Sequence, residues 1–139
     1  MGSSLKGRLI LIAEDEPLTA LGMTLAFEDE GAWVVRAYTL GEALRRAEDP
    51  ALSAAILDHA LRDGDSCTVY ERMTERNIPF VTYSGYDHLG GTGQGVYVKK
   101  PAPMSELVAT VRCLIADRSS KSPAIGNSAV VGLGNLARA

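Results

Sequence analysis

The chain has 139 residues, of which 46% are hydrophobic, and its formal net charge is −3. This length and composition predict one folded domain with a hydrophobic core. Because acidic and basic residues are interspersed, we expect neither nucleic acid nor an anionic membrane surface as a partner. The longest apolar runs are shorter than the roughly 20 residues of a membrane helix. Two distant cysteines, Cys67 and Cys113, without a secretory signal indicate a cytoplasmic protein whose reduced thiols pack in its interior.

Five short apolar runs predict β-strands. Segments with helical periodicity separate them, and this alternation predicts a parallel sheet with helices on both faces. With right-handed crossovers, the fold class is a doubly wound α/β fold with the flavodoxin-like strand order 2-1-3-4-5. The five runs cover residues 9–13, 33–35, 54–57, 79–83 and 96–98.

Helices are predicted between these strands. Pro17 suits the first position of the first helix, where its missing N–H costs no hydrogen bond, and Gly31 is suited to end that helix. Thr39 and Glu42 have the spacing of a capping box at the start of the second helix. A third helix is expected over residues 66–76. The apolar positions at helical spacing are Leu18, Leu21, Gly22 and Leu25 in the first helix, Ala43, Leu44 and Ala47 in the second, Val69, Tyr70 and Met73 in the third, and Leu107, Val108, Val111, Leu114 and Ile115 in the last.

The segment between the last two strands predicts no long helix. Residues 85–95 contain five glycines, so the fourth helix is expected to be short or missing. The domain plan is a flexible segment at residues 1–7, one folded domain at 8–117, and a tail at 118–139. This tail is either flexible or forms a docking arm. The residues that would carry such an arm are Val130, Val131, Leu133 and Leu136.

Acidic, hydroxyl and amine side chains directly follow four of the predicted strands. Because the carboxyl ends of parallel strands share one edge of the sheet, we expect these side chains to meet there. Carboxylates in close proximity repel each other, and a small hard cation such as Mg²⁺ relieves this repulsion. A carboxylate can then attack phosphorus while a lysine and a hydroxyl hydrogen-bond the transferring group. The residues are Glu14 and Asp15 after the first strand, Asp58 after the third, Ser84 after the fourth and Lys100 after the fifth.

Two of these assignments have a neighbour of similar chemistry. Lys99 is as plausible a cation as Lys100, and Thr82 lies close to Ser84, although the following Gly85 favours the serine. Acidic residues at strand ends are also frequent as solvated loop starts or helix caps. The joint order of all the residues favours a phosphorylatable site over these separate structural roles.

The same motifs, in the same order, resemble the receiver domain of two-component response regulators over about residues 8–117. The resemblance implies that Asp58 is the phosphoacceptor. It also implies that Glu14, Asp15 and Asp58 bind Mg²⁺, with the backbone carbonyl of Ala60 as a further ligand. The motifs that carry the resemblance are Glu14-Asp15, Asp58, Ser84-Gly85 and Lys100-Pro101.

The resemblance gives roles to three further residues. Lys100 matches the family's conserved lysine, and Ser84 matches the hydroxyl residue that contacts the phosphoryl group and switches on phosphorylation. Tyr97, three residues before the lysine, matches the family's switch aromatic. The peptide bond between Lys100 and Pro101 is expected to be cis, as is typical of the family.

The implied function is that of a stand-alone response regulator in phosphorelay signalling. A sensor histidine kinase or a histidine phosphotransfer protein would supply the phosphoryl group, and the chain would be a signalling phosphoacceptor and not a turnover enzyme. One alternative is a receiver-like binding module with a vestigial site, whose contacts ignore phosphorylation. Another is a small phosphatase, but such hydrolases usually carry Asp-x-Asp after the first strand, whereas Asp58-His59-Ala60 follows the third.

The sequence departs from the family pattern in two places. One is the loop after the phosphoacceptor, and the other is the surface that changes on phosphorylation in the family. Residues 59–64 replace a longer loop that contains proline in the family, so the sequence leaves the path of this loop open. The short or missing fourth helix removes part of the face that phosphorylation remodels in the family. We therefore expect any homodimer to form through another contact, such as the last helix or the tail.

Overall fold

Five parallel strands form the central sheet of the computed structural model, which describes residues 5–85 and 95–121. The described strands are β1 (Leu9–Ala13), β2 (Trp33–Ala37), β3 (Leu52–Leu57), β4 (Ala60–Leu61), β5 (Gly64–Asp65), β6 (Phe80–Ser84) and β7 (Val96–Lys99). The sheet has the order β2-β1-β3-β6-β7, with every pairing parallel, and β4 and β5 form a separate antiparallel pair. Numbered by themselves, the five strands of the sheet confirm the predicted order 2-1-3-4-5.

Helices connect the strands where the sequence predicts them. The described helices are α1 (Pro17–Asp29), α2 (Leu40–Arg46), α3 (Cys67–Glu75) and α4 (Met104–Lys121). Gly31, after α1, has a φ of 91°, which glycine adopts without steric cost. The Thr39 hydroxyl accepts a hydrogen bond of 3.1 Å from the Glu42 N–H and so caps α2. No helix in the described part of the chain combines the length and apolarity that a membrane crossing requires.

The side chains of β1 pack against helices on both faces of the sheet. Ile10 and Ile12 contact the core residues of α1 and α4, such as Phe27. Leu11 and Ala13 point to the opposite face, where α2 and α3 pack. Each large aliphatic side chain buried in this way stabilises the fold by about 1.5–3 kcal/mol. The central strands therefore hold the residues that follow their carboxyl ends in defined positions.

The apolar positions of α1 that recur at helical spacing lie on its outer face. Leu18, Leu21 and Leu25 are 76%, 44% and 57% exposed. Apolar residues also occupy the other face of this helix, so periodicity alone does not decide which of its two apolar stripes faces the sheet. The residues that the sheet and α4 bury are Ala20, Met23, Thr24 and Phe27.

Both cysteines are exposed, so the prediction that they pack in the interior is wrong. Cys67 is the first residue of α3, next to the loop that precedes the helix. Cys113 lies between the buried residues Val111 and Ile115. Val111 and Ile115 are four residues apart and share the buried face of α4, so Cys113, midway between them, points away from the core.

The described unit extends beyond residues 8–117 at both ends. Leu5 is fully buried and belongs to the core on the α1 side of the sheet. At the other end, α4 continues to Lys121. Residues 122–139, which make up most of the predicted tail, lie outside the described residues. The segment at 85–95, predicted to lack a long helix, also lies almost wholly outside them.

Candidate functional site

Glu14 directly follows β1, and its side chain is only 1% exposed. Its backbone N–H donates a hydrogen bond of 3.0 Å to the carbonyl of Ala37, at the end of β2. Its carboxylate Oε2 accepts a hydrogen bond of 3.1 Å from the N–H of Glu16. Burial of a carboxylate is costly unless it gains such partners. Local backbone therefore satisfies Oε2 and leaves Oε1 for contacts across the sheet edge.

Asp58 follows β3, the neighbour of β1 in the sheet. Its N–H donates to the carbonyl of Ala13 at 2.9 Å, and its carbonyl accepts a hydrogen bond from the Ser66 hydroxyl. Its carboxylate Oδ1 accepts a hydrogen bond of 3.3 Å from the N–H of Ala60. Asp58 is buried, with 8% of its surface exposed. The end of β3 thus places this carboxylate beside that of Glu14.

Lys100 directly follows β7 and connects the two buried carboxylates. Its Nζ lies 2.9 Å from Oε1 of Glu14 and 3.1 Å from Oδ2 of Asp58. The side chain of Lys100 is 26% exposed, so water screens these ion pairs less than at the surface. Of the two adjacent lysines that the sequence offered, Lys100 is the one whose ammonium group lies between the carboxylates, while Lys99 belongs to β7.

Asp15 completes a cluster of three carboxylates. One oxygen from each of Glu14, Asp15 and Asp58 lies within 4.8 Å of the others. Carboxylate oxygens with space left for water are the ligands that Mg²⁺ prefers, so the described residues fit this ion. The single ammonium group of Lys100 offsets only part of the charge of three carboxylates. The further ligand expected from the sequence, the carbonyl of Ala60, stays a prediction.

The pKa values of Glu14 and Lys100 are both raised, but for different reasons. Burial raises the pKa of the Glu14 carboxyl group; the hydrogen bond from Lys100 opposes this shift and the Asp58 carboxylate adds to it. Burial acts to lower the pKa of Lys100, but its hydrogen bond to Glu14 and the charge of Asp58 outweigh burial and raise it. An added cation would favour the ionised form of Glu14.

Ser84 is the last residue of β6 and is buried at the same edge of the sheet. Its carbonyl accepts a hydrogen bond of 2.8 Å from the N–H of Lys100. Thr82 lies deeper in the sheet, where it pairs with Tyr97 of β7, while Ser84 pairs with Lys99. The structure therefore brings Ser84, and not Thr82, to the end of the strand. Tyr97 is half-buried and lies two pairs below the pair of Ser84 and Lys99 at the edge.

The hairpin of β4 and β5 forms the loop after β3, whose path the sequence left open. Ala60 pairs with Asp65 across this hairpin. At its tip, the Asp63 carboxylate accepts hydrogen bonds from the backbone N–H groups of Leu40 and Gly41, the first residues of α2. The hydrogen bond from Leu40 is the main cause that lowers the pKa of the Asp63 carboxyl group. This capping interaction connects the loop beside the carboxylate cluster to α2.

Comparisons with known proteins agree with this architecture, although no protein-family model matches the chain. The transcriptional regulatory protein PmrA of Pectobacterium parmentieri is 31% identical over 121 residues, which cover 81% of this chain and 54% of PmrA. A response regulator receiver domain protein (CheY-like) from Methanospirillum hungatei JF-1 has a TM-score of 0.77 at 22% identity, over 84% of this chain and 100% of that one. The chain has the fold of a response-regulator receiver domain.

A third comparison concerns the metal. The receiver domain of sensor histidine kinase PA1611 from Pseudomonas aeruginosa PAO1, whose structure has a magnesium ion coordinated in the active site cleft, has a TM-score of 0.70 at 22% identity. The match covers 79% of this chain and 98% of that domain. The chain spans about half the length of the curated relatives it matches. The predicted resemblance to receiver domains is thus confirmed at the level of the fold.

Sequence reasoning missed two residues that support the candidate site. Tyr83 places its ring 5.3 Å from Nζ of Lys100, and its hydroxyl accepts a hydrogen bond of 3.1 Å from the N–H of Ala102. It thus packs against the turn around Pro101. The predicted cis peptide bond between Lys100 and Pro101 is present in this turn. Ser66 donates its hydroxyl to the carbonyl of Asp58. In sequence, Tyr83 is typical of a core aromatic and Ser66 of a helix cap, so neither signalled a role at the site.

Proposed function

We propose that this receiver domain accepts a phosphoryl group on Asp58 in a magnesium-dependent reaction. The observation that carries this proposal is the position of the Lys100 ammonium group, hydrogen-bonded to both Glu14 and Asp58 within a cluster of three carboxylates. A structural salt bridge needs one carboxylate partner, and placing a second buried carboxylate and a partly buried third one near it is costly. Such an arrangement is typical of a site that handles a charged ligand.

Asp58 is the nucleophile in the proposed reaction. One of its carboxylate oxygens attacks the phosphorus atom of a phosphodonor and forms a new O–P bond. The bond between phosphorus and the leaving atom of the donor breaks, and the leaving group departs with that electron pair. No oxidant or reductant is needed, and the product is an aspartyl phosphate.

Glu14, Asp15 and Asp58 are the residues that would hold Mg²⁺. When bound, the ion offsets charge on the carboxylates and on the oxygens of the transferring group. Lys100 contributes a second positive charge that can hydrogen-bond a phosphoryl oxygen once the group is attached. Ser84, buried beside Lys100 at the same edge, is proposed to donate its hydroxyl to another phosphoryl oxygen.

The proposed phosphodonor is a histidine kinase or a histidine phosphotransfer protein, and small phosphodonors can substitute for it. The domain then acts as a signalling phosphoacceptor in the cytoplasm, through contacts that depend on the state of Asp58. Ser84 and Tyr97, whose strands pair directly, are proposed to transmit that state to the surface. The stand-alone organisation and the homodimer contact expected from the sequence stay predictions.

Intact-mass measurement of the full chain after incubation with acetyl phosphate and Mg²⁺ tests this proposal. We expect a mass gain of one phosphoryl group that disappears when Mg²⁺ is chelated. The Asp58→Asn variant should show no gain, because the amide is not a nucleophile for phosphorus.

Asp63→Asn is the matched control, since it removes a carboxylate from the neighbouring hairpin and leaves the cluster intact. It should gain the same mass as the wild-type chain. Equal phosphorylation of the wild-type and Asp58→Asn chains would refute Asp58 as the acceptor. An absence of any gain in a folded wild-type chain would favour the alternative of a binding module with a vestigial site.

A further inference from the structure

The outer face of α1 carries an apolar stripe, which we define as Leu18, Leu21, Gly22 and Leu25. Its three leucines are strongly exposed, and no charged residue occurs over residues 17–27. A Cβ atom built on Gly22 would meet nothing within 4 Å, so the middle of the stripe is open to close approach. A helix that is apolar on its outer face as well as its inner one is typically covered by another surface.

We propose that residues 130–136 of the same chain cover this stripe. This segment, here called the apolar arm, lies outside the described residues. Its large side chains are aliphatic, like the three leucines of the stripe, and burying both together removes their apolar surface from water. They are Val130, Val131, Leu133 and Leu136.

The end of α4 lies where the arm can reach α1. Both helices follow parallel strands and run in the same direction, and Arg112 of α4 forms an ion pair of 3.1 Å with Glu30, next to the end of α1. The helix rises about 14 Å from Arg112 to Lys121, and Leu25 lies about 8 Å back from Glu30 along α1. The link from Lys121 to Val130 extends to about 30 Å, which exceeds this combined distance of about 22 Å.

Charge also favours the arm over other occupants. Residues 122–139 contain no acidic residue, and Arg138 is their only charged side chain. The stripe is flanked by exposed acidic residues, Glu16 before it and Glu28 and Asp29 after it. Two copies of α1 packed face to face would bring these like charges together. Three leucines and a glycine also offer far less than the roughly 800 Å² per partner that a stable dimer interface buries.

Methyl NMR spectra of the full chain test the proposal, which does not depend on phosphorylation. In the wild-type chain, we expect nuclear Overhauser contacts between the methyl groups of Leu21 and Val131. In the double variant Val131→Asp/Leu133→Asp, these contacts should vanish and the methyl resonances of the stripe should shift. Asn135→Asp, which adds a charge at a polar position of the arm, is the matched control and should leave them in place.

Methyl resonances of the core, such as that of Leu107, report whether each variant is folded. The proposal would be overturned if the wild-type spectra showed no contacts between the stripe and the arm and if both variants left the stripe resonances unchanged. Stripe resonances that move with protein concentration, together with a dimer in sedimentation, would show that a second copy covers the stripe, and this result would overturn it as well.

Discussion

Burial of the Glu14 carboxylate lowers the stability of the folded chain but places the carboxylate in the proposed metal site. Glu14 is enclosed beside Asp58, and burial raises the pKa of its carboxyl group, so the ionised form is less favourable in the folded chain than in the unfolded one. Lys100 relieves this cost only in part, since it serves both carboxylates. Such a local cost is common where a site must bind a charged ligand.

Replacement of Glu14 by glutamine is therefore expected to stabilise the metal-free chain at neutral pH, by about 0.5–2 kcal/mol. Glutamine keeps one acceptor oxygen, for Lys100 or for the N–H of Glu16, and loses the other of these hydrogen bonds. It removes both the charge of the buried carboxylate and the repulsion with Asp58. Because the folded-state pKa of Glu14 is raised, the gain should be largest above that pKa and should fade as the pH falls towards 4.5. Urea unfolding in the presence of a chelator, at neutral pH and at pH 4.5, measures this gain in stability.

Glu71→Gln, at an exposed position of α3, is the control for the charge change and should have little effect. A lower stability of Glu14→Gln than of the wild type at neutral pH, without metal, would contradict the cost assigned to the buried carboxylate.

Lys100→Met is expected to have the opposite effect. It leaves Glu14 and Asp58 without their shared ammonium partner, which should destabilise the chain by about 1–3 kcal/mol at neutral pH. The pKa of Lys100 is raised on folding, so its contribution is fully present below 10.5 and is lost as the pH rises through the raised value. Urea unfolding should show the difference from wild type shrinking above pH 10.5, while Lys99→Met stays near wild type. A difference that grows with pH would contradict this assignment.

At the scale of elements, the strands and helices were predictable because each carries a local signal. The capping pair of Thr39 and Glu42 and the glycine after α1 marked helix ends by their own backbone chemistry. The two-residue strands β4 and β5 were missed, since so short a hairpin has no periodicity. The sequence left the orientation of α1 open, because a helix with two apolar stripes is oriented only by what packs against it.

The start of β7 offers a prediction about packing between elements. A Cβ atom built on Gly95 would lie 2.2 Å from the ring of Phe80, a fully buried residue. Gly95→Ala should therefore destabilise the chain by about 1–3 kcal/mol through overpacking. Thermal unfolding measures this loss.

Gly85→Ala is the matched control, because a Cβ atom built on Gly85 meets nothing within 4 Å. Equal melting temperatures for the two alanine variants would show that the ring of Phe80 yields without cost.

At the scale of the whole molecule, the candidate site depends on strands that are far apart in the chain. Glu14, Asp58 and Lys100 come together only because β1, β3 and β7 belong to one sheet in which their carboxyl ends align. The order of these residues predicted that edge. The Lys100-Pro101 motif indicated the lysine, but its contacts with both carboxylates and the support from Tyr83 depend on tertiary packing that no local pattern records.

Metal binding should consequently stabilise the entire sheet. An ion that binds only the folded state adds about 2.7 kcal/mol at a concentration of 100 times its dissociation constant. We expect Mg²⁺ to raise the melting temperature of the wild-type chain and to have a much smaller effect on Asp15→Asn. Differential scanning calorimetry across a magnesium titration measures both, with Asp63→Asn expected to respond like the wild type. Equal responses of the wild type and Asp15→Asn would place the ion elsewhere.

Mapping of the phosphoryl group to a residue tests the central claim most directly. The wild-type chain is treated with acetyl phosphate and Mg²⁺, reduced with borohydride so that an aspartyl phosphate becomes homoserine, and digested for tandem mass spectrometry. We predict homoserine at position 58 and at no other aspartate. Homoserine at Asp15 or Asp63 instead, or a phosphoryl group on a residue away from the carboxyl edge of the sheet, would contradict the proposed site.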